Sequence, residues 1–334
     1  MMKFLKEGQN KNDLYRIVQK KVMSGKELTK EEALTLYGQP LAELCRNADE
    51  LREHFCADRF DFCAIINGKS GRCSENCRFC AQSTHNKNQT VCFPLLSAED
   101  IVAQAKIFEK RGVKRYSIVT SGKRLSEKEV DRMCNAIHHI KEETGLSVCV
   151  SFGLLNERQF RKLKEAGVTR VHNNLEVSER YFPKVCSTHT FEEKQQAIRA
   201  AQNAGLTVCS GGIIGIGETV EDRIDLALSL RELGIKSVPV NMLNPIPGTP
   251  LEHQPLLTEE ELRRVVAVYR FLLPDAAIRL AGGRGLLADK GQSCFRSGAN
   301  AAITGDMLTT AGITVETDLK LLKELGYAPA LVEK

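Results

Sequence analysis

The chain has 334 residues, a formal net charge of +5, and 42% hydrophobic and 27% charged residues. This is the balance of a globular chain long enough to bury a large core, and it excludes a disordered or collagen-like polymer. Basic residues are interspersed with acidic ones, so no nucleic-acid partner is called for, and no apolar run is long enough to span a membrane.

Met1–Lys6 is followed by polar residues and lacks a signal-peptide core. The expectation is a cytoplasmic protein. In that reducing compartment the twelve cysteines point to metal or redox chemistry rather than disulfides.

Residues 1–58 read as helices forming an N-terminal cap. Leu14, Ile17, Val18 and Val22 share one apolar face, and the pattern continues through Thr29 and from Leu41 to Cys56. Cys45 and Cys56 are expected to be small buried hydrophobes. The charged stretches Asp49–His54 and Glu192–Lys194 are expected to be solvated helix faces.

From residue 59 to 312 short apolar runs alternate with amphipathic stretches. The candidate strands are Phe62–Ile66, Arg115–Thr120, Ser147–Phe152, Arg170–Leu175, Thr207–Ile214, Ser237–Leu243, Ala277–Ala281 and Ala301–Thr304. Between them, Ser126…Glu129, Thr190…Glu193 and Thr258…Glu261 have capping-box spacing, with Ser97…Asp100 and Thr219…Asp222 as acidic variants. Eight strand–helix units predict an α/β fold, a (β/α)8 TIM-type barrel, with an open doubly wound sheet as the alternative. Residues 313–334 form a C-terminal tail with a helix from Glu316 to Leu325, suited to covering a barrel end.

The first strand leads into Gly71–Gln82, which carries Cys73, Cys77 and Cys80. Three thiolates on so short a loop suit a small iron–sulfur cluster. A four-iron cluster would keep one iron open for a molecule with its own donor atoms. Phe79 would shield one side of the cluster or pack on a bound ring. A structural zinc site would want a second Cys-x-x-Cys, which the chain lacks.

Further along, His172-Asn173-Asn174-Leu175-Glu176 puts polar groups at the end of strand four. Asn174 and Glu176 are expected on one face, as an amide contact to substrate and a carboxylate on a ribose. Solvated strand-end residues are the alternative. Gly211, Gly212 and Ile214 lie in a glycine-rich stretch that reads as a wall for an adenine ring or, alone, as a tight turn. Asn241 repeats the amide theme on strand six, suiting a cyclic urea or amide. Arg279 lies between apolar residues on strand seven, where an internal ion pair is a strong competing reading.

The spacing Cys73-x3-Cys77-x2-Cys80 resembles the signature of the radical S-adenosylmethionine (SAM) superfamily. With His172-Asn173-Asn174-Leu175, Val208–Ile213, Val240–Leu243, Gly248–Leu251, Arg279-Leu280 and Cys294–Asn300, residues of about 40 to 327 resemble the biotin synthase family. The resemblance implies a 4Fe-4S cluster whose open iron is chelated by SAM, which is cleaved on reduction to methionine and a 5′-deoxyadenosyl radical. It implies sulfur insertion into dethiobiotin by a homodimer fed by a flavodoxin- or ferredoxin-type electron carrier, with no catalytic acid or base side chain assigned. Asn174 and Asn241 fall at dethiobiotin-contacting positions, and Glu176 where the family commonly has an Asp on the SAM ribose. The barrel alone does not choose the substrate; a related radical SAM enzyme or a non-catalytic iron–sulfur scaffold are the alternatives.

The familiar family members hold a second cluster with three cysteines and an arginine. Cys149, Cys209 and Arg279 match three of these positions, but the fourth is Ser117, a harder and much less acidic ligand. Cys63, Cys149, Cys209 and Arg279 fall on alternate candidate strands, which in a barrel share one interior layer. Cys63 is therefore a candidate for the missing position, and Cys186, in the loop after strand four, is the other. With both thiols a four-iron auxiliary iron–sulfur cluster is favoured over a 2Fe-2S one, as the source of the inserted sulfur.

Overall fold

The computed structural model describes residues 11–332; the Met1–Lys6 stretch lies outside them. Three helices come first: α1 (Lys11–Met23), α2 (Lys30–Tyr37) and α3 (Leu41–Cys56). Strands and helices then alternate: β1 (Arg59–Lys69), α4 (Ala98–Lys110), β2 (Arg115–Thr120), α5 (Glu127–Glu143), β3 (Ser147–Ser151), α6 (Glu157–Glu165), β4 (Val168–His172) and α7 (Phe191–Asn203). Next come β5 (Thr207–Cys209), β6 (Gly212–Ile214), α8 (Val220–Glu232), β7 (Ser237–Met242), α9 (Glu259–Leu272), β8 (Ala277–Leu280), α10 (Gln292–Phe295), β9 (Ala301–Thr304), α11 (Val315–Leu325) and β10 (Ala328–Pro329).

Every strand pairing is parallel, and β1 pairs with both β2 and β9, so the sheet closes. This is the expected (β/α)8 barrel, not the open sheet. Its fifth position is split into β5 and β6, where the sequence predicted one strand over Thr207–Ile214. The reason lies in the neighbour: Pro239 of β7 has no N–H to donate. The carbonyl of Gly211 turns to the other side and accepts from the Glu176 N–H at 3.0 Å. Strand four also ends early, at His172 rather than Leu175; Glu176, at φ +73°, returns to the sheet only as an isolated parallel bridge to Gly212.

All five predicted N-caps form: Ser97, Ser126, Thr190, Thr219 and Thr258 each accept from the backbone N–H three residues on. Glu261 does not close the reciprocal bond to Thr258. Its carboxylate takes the Tyr37 hydroxyl at 2.6 Å and lies 2.5 Å from the Arg223 guanidinium, tying α2 to α8 and α9. On the N-terminal helices Leu14, Val18 and Val22 are buried as expected, but Ile17 is 50% exposed and Tyr15 takes the inner place. Arg52 is buried rather than solvated: it pairs with Asp49 at 2.6 Å and stacks on Tyr327. Cys45 and Cys56 are buried. No helix among the described residues is long and apolar enough to cross a membrane.

The N-terminal ends of the strands are closed by charge. Asp61 on β1 is fully buried; its Oδ1 lies 2.8 Å from Arg279, and its Oδ2 lies 3.5 Å from Arg115 and 3.3 Å from Arg170. The tail completes this end. Ala328 and Pro329 pair with Arg59 and Phe60, and the N–H of Val332 donates to Asp61 Oδ2 at 3.1 Å. The opposite, C-terminal mouth of the barrel carries the long loops, where chemistry in this architecture resides.

Candidate active site

The loop after β1 is fastened along its length. Gln82 accepts from the Gly71 N–H through its side chain at 2.9 Å and from the Cys73 N–H through its carbonyl at 2.9 Å. Cys80 N–H donates to the Cys77 carbonyl at 3.1 Å, and Asn86 donates to the Cys80 carbonyl at 2.7 Å. Gly71, at φ +73°, allows the sharp entry: a Cβ there would lie 2.2 Å from Cys92 Sγ. Cys73, Cys77 and Cys80 are free, half-buried thiols on this frame. Burial pushes Cys80 up to about 11.

Inside the barrel, register brings the second set together. Cys63 stands opposite Arg115, Ser117 opposite Cys149, His172 opposite Cys209, and Pro239 opposite Arg279. Cys63, Ser117, Cys149, Cys209 and Arg279 all line one cavity of about 370 Å³. Phe79, Cys80, Asn174, Glu176 and Asn241 line the same cavity nearer its mouth. Neither the loop thiols nor the interior thiols are close enough together for a single ion among the described residues. Soft donors of this kind suit polynuclear iron–sulfur clusters.

The electrostatics of the interior thiols differ. Burial pushes Cys63 up to about 12. Burial opposes ionisation of Cys209 too, but the hydrogen bond from His172 and the charges of Arg279 and Arg170 bring it down to about 6. Ser237 also donates to Cys209 Sγ at 3.2 Å. Burial raises Cys149, with Ser117 hydrogen-bonded to it.

The two asparagines are held by hydrogen bonds, Asn241 to backbone alone and Asn174 to backbone and Glu176. Asn174 accepts from Gly211 N–H at 3.1 Å and donates to Glu176 at 3.3 Å. Asn241 donates to the Gly212 carbonyl at 3.0 Å and accepts from Gly282 N–H at 2.8 Å. Each keeps one N–H and one lone pair beyond these bonds. Gly211 and Gly212 stand behind them as spacers: a Cβ would lie 1.9 Å from the Pro239 carbonyl oxygen in one case and 2.2 Å from that of Glu176 in the other. Gly212→Ala is therefore expected to cost about 1–3 kcal/mol of stability by overpacking and to displace Glu176. Urea unfolding checks the first effect, and an unchanged midpoint would contradict it.

Two sequence-derived residues sit elsewhere than expected. Ile214 is 1% exposed and belongs to the hydrophobic core, while its neighbour Ile213 lines the cavity, since adjacent strand residues face opposite ways. Cys186 does not line the interior cavity with Cys63. The 3-10 turn Phe182–Lys184 carries it under the loop after β1, where it joins Cys77 and His189. Hydrogen bonding from Cys77, against the cost of burial and with help from His189 and Thr188, brings Cys186 down to about 3. Arg279 bonds the carbonyls of Asp61 and Ala302 at 3.1 and 3.0 Å besides its pair with the Asp61 carboxylate. Sequence reasoning missed His172, Arg115, Arg170 and Asp61. The signal available was a charged residue inside an otherwise apolar strand, used for Arg279 but not for the others.

Residues 69–230 match the model of the Radical SAM superfamily, and 239–328 that of the Biotin and Thiamin Synthesis associated domain. The chain is 58% identical over 316 residues to the biotin synthase of Brachyspira hyodysenteriae, covering 95% of each chain. It is 54% identical over 307 residues to that of Akkermansia muciniphila, covering 92% of this chain and 96% of the other. The chain belongs to the biotin synthase family. As a member of that family it is a radical SAM enzyme, and the family implies a 4Fe-4S cluster and SAM. The fold is shared more widely than the family: methylornithine synthase superposes with a TM-score of 0.82 at 21% identity, over 94% of this chain and 97% of that one. The FeFe-hydrogenase maturase HydG from Carboxydothermus hydrogenoformans gives 0.80 at 18%, over 96% and 80%.

Proposed function

We propose that this protein converts dethiobiotin to biotin, inserting sulfur between the methyl and methylene carbons (C9 and C6) at the cost of two SAM. The supporting observation is one cavity lined both by soft interior donors and by two backbone-anchored amides beneath the iron–sulfur loop. In this reading Cys73, Cys77 and Cys80 hold the 4Fe-4S cluster. When bound, that cluster and SAM supply a radical able to remove hydrogen from unactivated carbon.

The chain's own residues position and exclude. Asn174 and Asn241 offer their remaining N–H groups and lone pairs to the cyclic urea of dethiobiotin. Glu176 meets the SAM ribose, Phe79 covers the cofactor, and Gly211 and Gly212 give the adenine its space with Ile213 rather than Ile214 beside it. The cavity walls keep water from the reacting carbon.

We assign Cys63, Cys149, Cys209 and Arg279 to an auxiliary iron–sulfur cluster, the source of the inserted sulfur; Cys186, whose thiol was part of the ground for a four-iron type, lies outside the set. Cys63→Ala is expected to lower auxiliary iron, seen by Mössbauer spectroscopy, and to cut single-turnover biotin yield at least about tenfold, since even outer-partner changes at metal sites cost about 10–100-fold. Cys186→Ala should leave the interior iron in place. Equal iron and yield in Cys63→Ala and wild type would remove Cys63 from the set.

The wider reading is a cytoplasmic homodimer served by a flavodoxin- or ferredoxin-type donor. Residues 1–58 act as a cap, 59–312 as the catalytic barrel and 313–334 as a tail. The deciding experiment is anaerobic reconstitution with dethiobiotin, SAM and reductant, followed by mass spectrometry of biotin. SAM cleavage on another substrate without biotin formation would overturn the assignment.

A further inference from the structure

Beneath the loop after β1 lies a second group of metal-type donors, of which the proposed reaction uses only Cys77. The Sγ atoms of Cys77 and Cys186 and a ring nitrogen of His189 all lie within 4.8 Å of one another. Cys186 and His189 are buried, at 4% and 6% exposure, and Cys77 is half-buried. Cys186 Sγ stands 3.3 Å from His189 Nδ1. Two ligands of one tetrahedral ion, with bonds of about 2.3 Å to sulfur and about 2.0 Å to nitrogen, stand at roughly this separation.

The surroundings are built. Glu75, itself buried, brings Oε2 to 2.6 Å from the same His189 nitrogen and accepts from Thr188 Oγ1 at 2.9 Å. Asn76 Oδ1 accepts from the Ser187 N–H at 2.9 Å and lies 3.2 Å from Cys186 Sγ. Phe182 packs edge-on against the His189 ring. The loop after β4 and the iron–sulfur loop are thus locked around these side chains.

We propose that Cys77, Cys186 and His189 form a mononuclear site for a divalent ion of zinc or iron(II) type, with water in the fourth position and Glu75 orienting the His189 ring, and that this ion competes with the 4Fe-4S cluster for Cys77. Two thiolates and an imidazole are the ligand set such ions prefer. Binding displaces the Cys77 thiol proton and involves no change of oxidation state. Its consequence is a loop with Cys77 drawn down, leaving only Cys73 and Cys80 for a cluster. The ion site stands apart from the proposed reaction; only the competition rests on assigning Cys77 to the 4Fe-4S cluster.

The test uses the full chain, reduced and stripped of iron without air, then loaded with one equivalent of zinc. X-ray absorption at the zinc edge should give a first shell of two sulfurs and two nitrogen or oxygen atoms. A three-sulfur shell, from the loop or the interior thiols, would overturn the site. So would loss of the Cys77 and Cys186 thiols to a disulfide in the air-free protein, read by alkylation and mass.

A cobalt(II) titration supplies the second measurement. The thiolate charge-transfer and tetrahedral bands should persist in the Cys73→Ala/Cys80→Ala variant. Adding Cys186→Ala or His189→Gln should weaken binding by more than the roughly 10–100-fold cost of outer-shell changes; identical titrations would again overturn the site. Finally, zinc-loaded wild type should take up less iron on reconstitution than zinc-treated Cys186→Ala. A two-sulfur zinc shell with undiminished iron uptake would keep the site and overturn both the competition and the role of Cys77 in the cluster.

Discussion

Asp61→Ala is expected to leave little folded protein. The carboxylate is fully buried and faces the guanidiniums of Arg279, Arg115 and Arg170. Removing one partner from a buried ionic group typically costs about 3–5 kcal/mol, because the remaining charges stay desolvated. That is a large share of the roughly 5–15 kcal/mol holding a typical domain together. Asp61→Asn keeps the shape and an acceptor and should be less damaged. Burial alone would raise the Asp61 pKa, but the charges of Arg279, Arg115 and Arg170 outweigh it and hold the carboxyl well below the usual range. A depressed carboxylate pKa contributes stability that is present above its unfolded value, about 3.9, and lost as pH falls toward the folded one. Urea midpoints of the wild type should therefore drop below about pH 4, and Asp61→Asn should flatten that slope. An Asp61→Ala protein with the wild-type midpoint would sink the argument.

Alanine at Cys73, Cys77 or Cys80, one at a time, is expected to abolish reductive cleavage of SAM. With two thiols left on the loop, a four-iron cluster has no third protein anchor. The loss should be at least about a thousandfold, equal to about 4 kcal/mol of barrier, with iron content falling in parallel. Cys92→Ala is the control. That thiol is exposed and lies beside Gly71 in the same region, but contributes no ligand in our reading. Formation of 5′-deoxyadenosine at near wild-type rates in any of the three variants would remove that cysteine from the cluster.

The barrel was legible because buried parallel strands write themselves as short apolar runs, and because the caps at Ser97, Ser126, Thr190, Thr219 and Thr258 mark five helix starts; the cap of α6, Asn156, was not among them. The placing of Cys63, Cys149 and Cys209 on one cavity followed from strand parity. Parity counted from the wrong residue at Ile214, which lies in the core while Ile213 faces the cavity. The break in strand five was hidden because its cause sits on another strand, at Pro239. Cys186 was misjudged because a loop's path is not periodic, and only the turn at Phe182–Lys184 carries it under Cys77. Asp61 escaped notice for a related reason: its three partners come from three different strands.

The contact between Val332 and Asp61 joins residues 271 positions apart. During synthesis, residue 61 emerges long before residue 332 exists, and the β1–β9 seam also waits for residues beyond 300. Until then three arginines share the floor of an unsealed sheet with exposed strand edges. Late, long-range closure of this kind slows folding and prolongs exposure to aggregation. The cavity inside the barrel is therefore enclosed only when the last strand and the tail have joined β1.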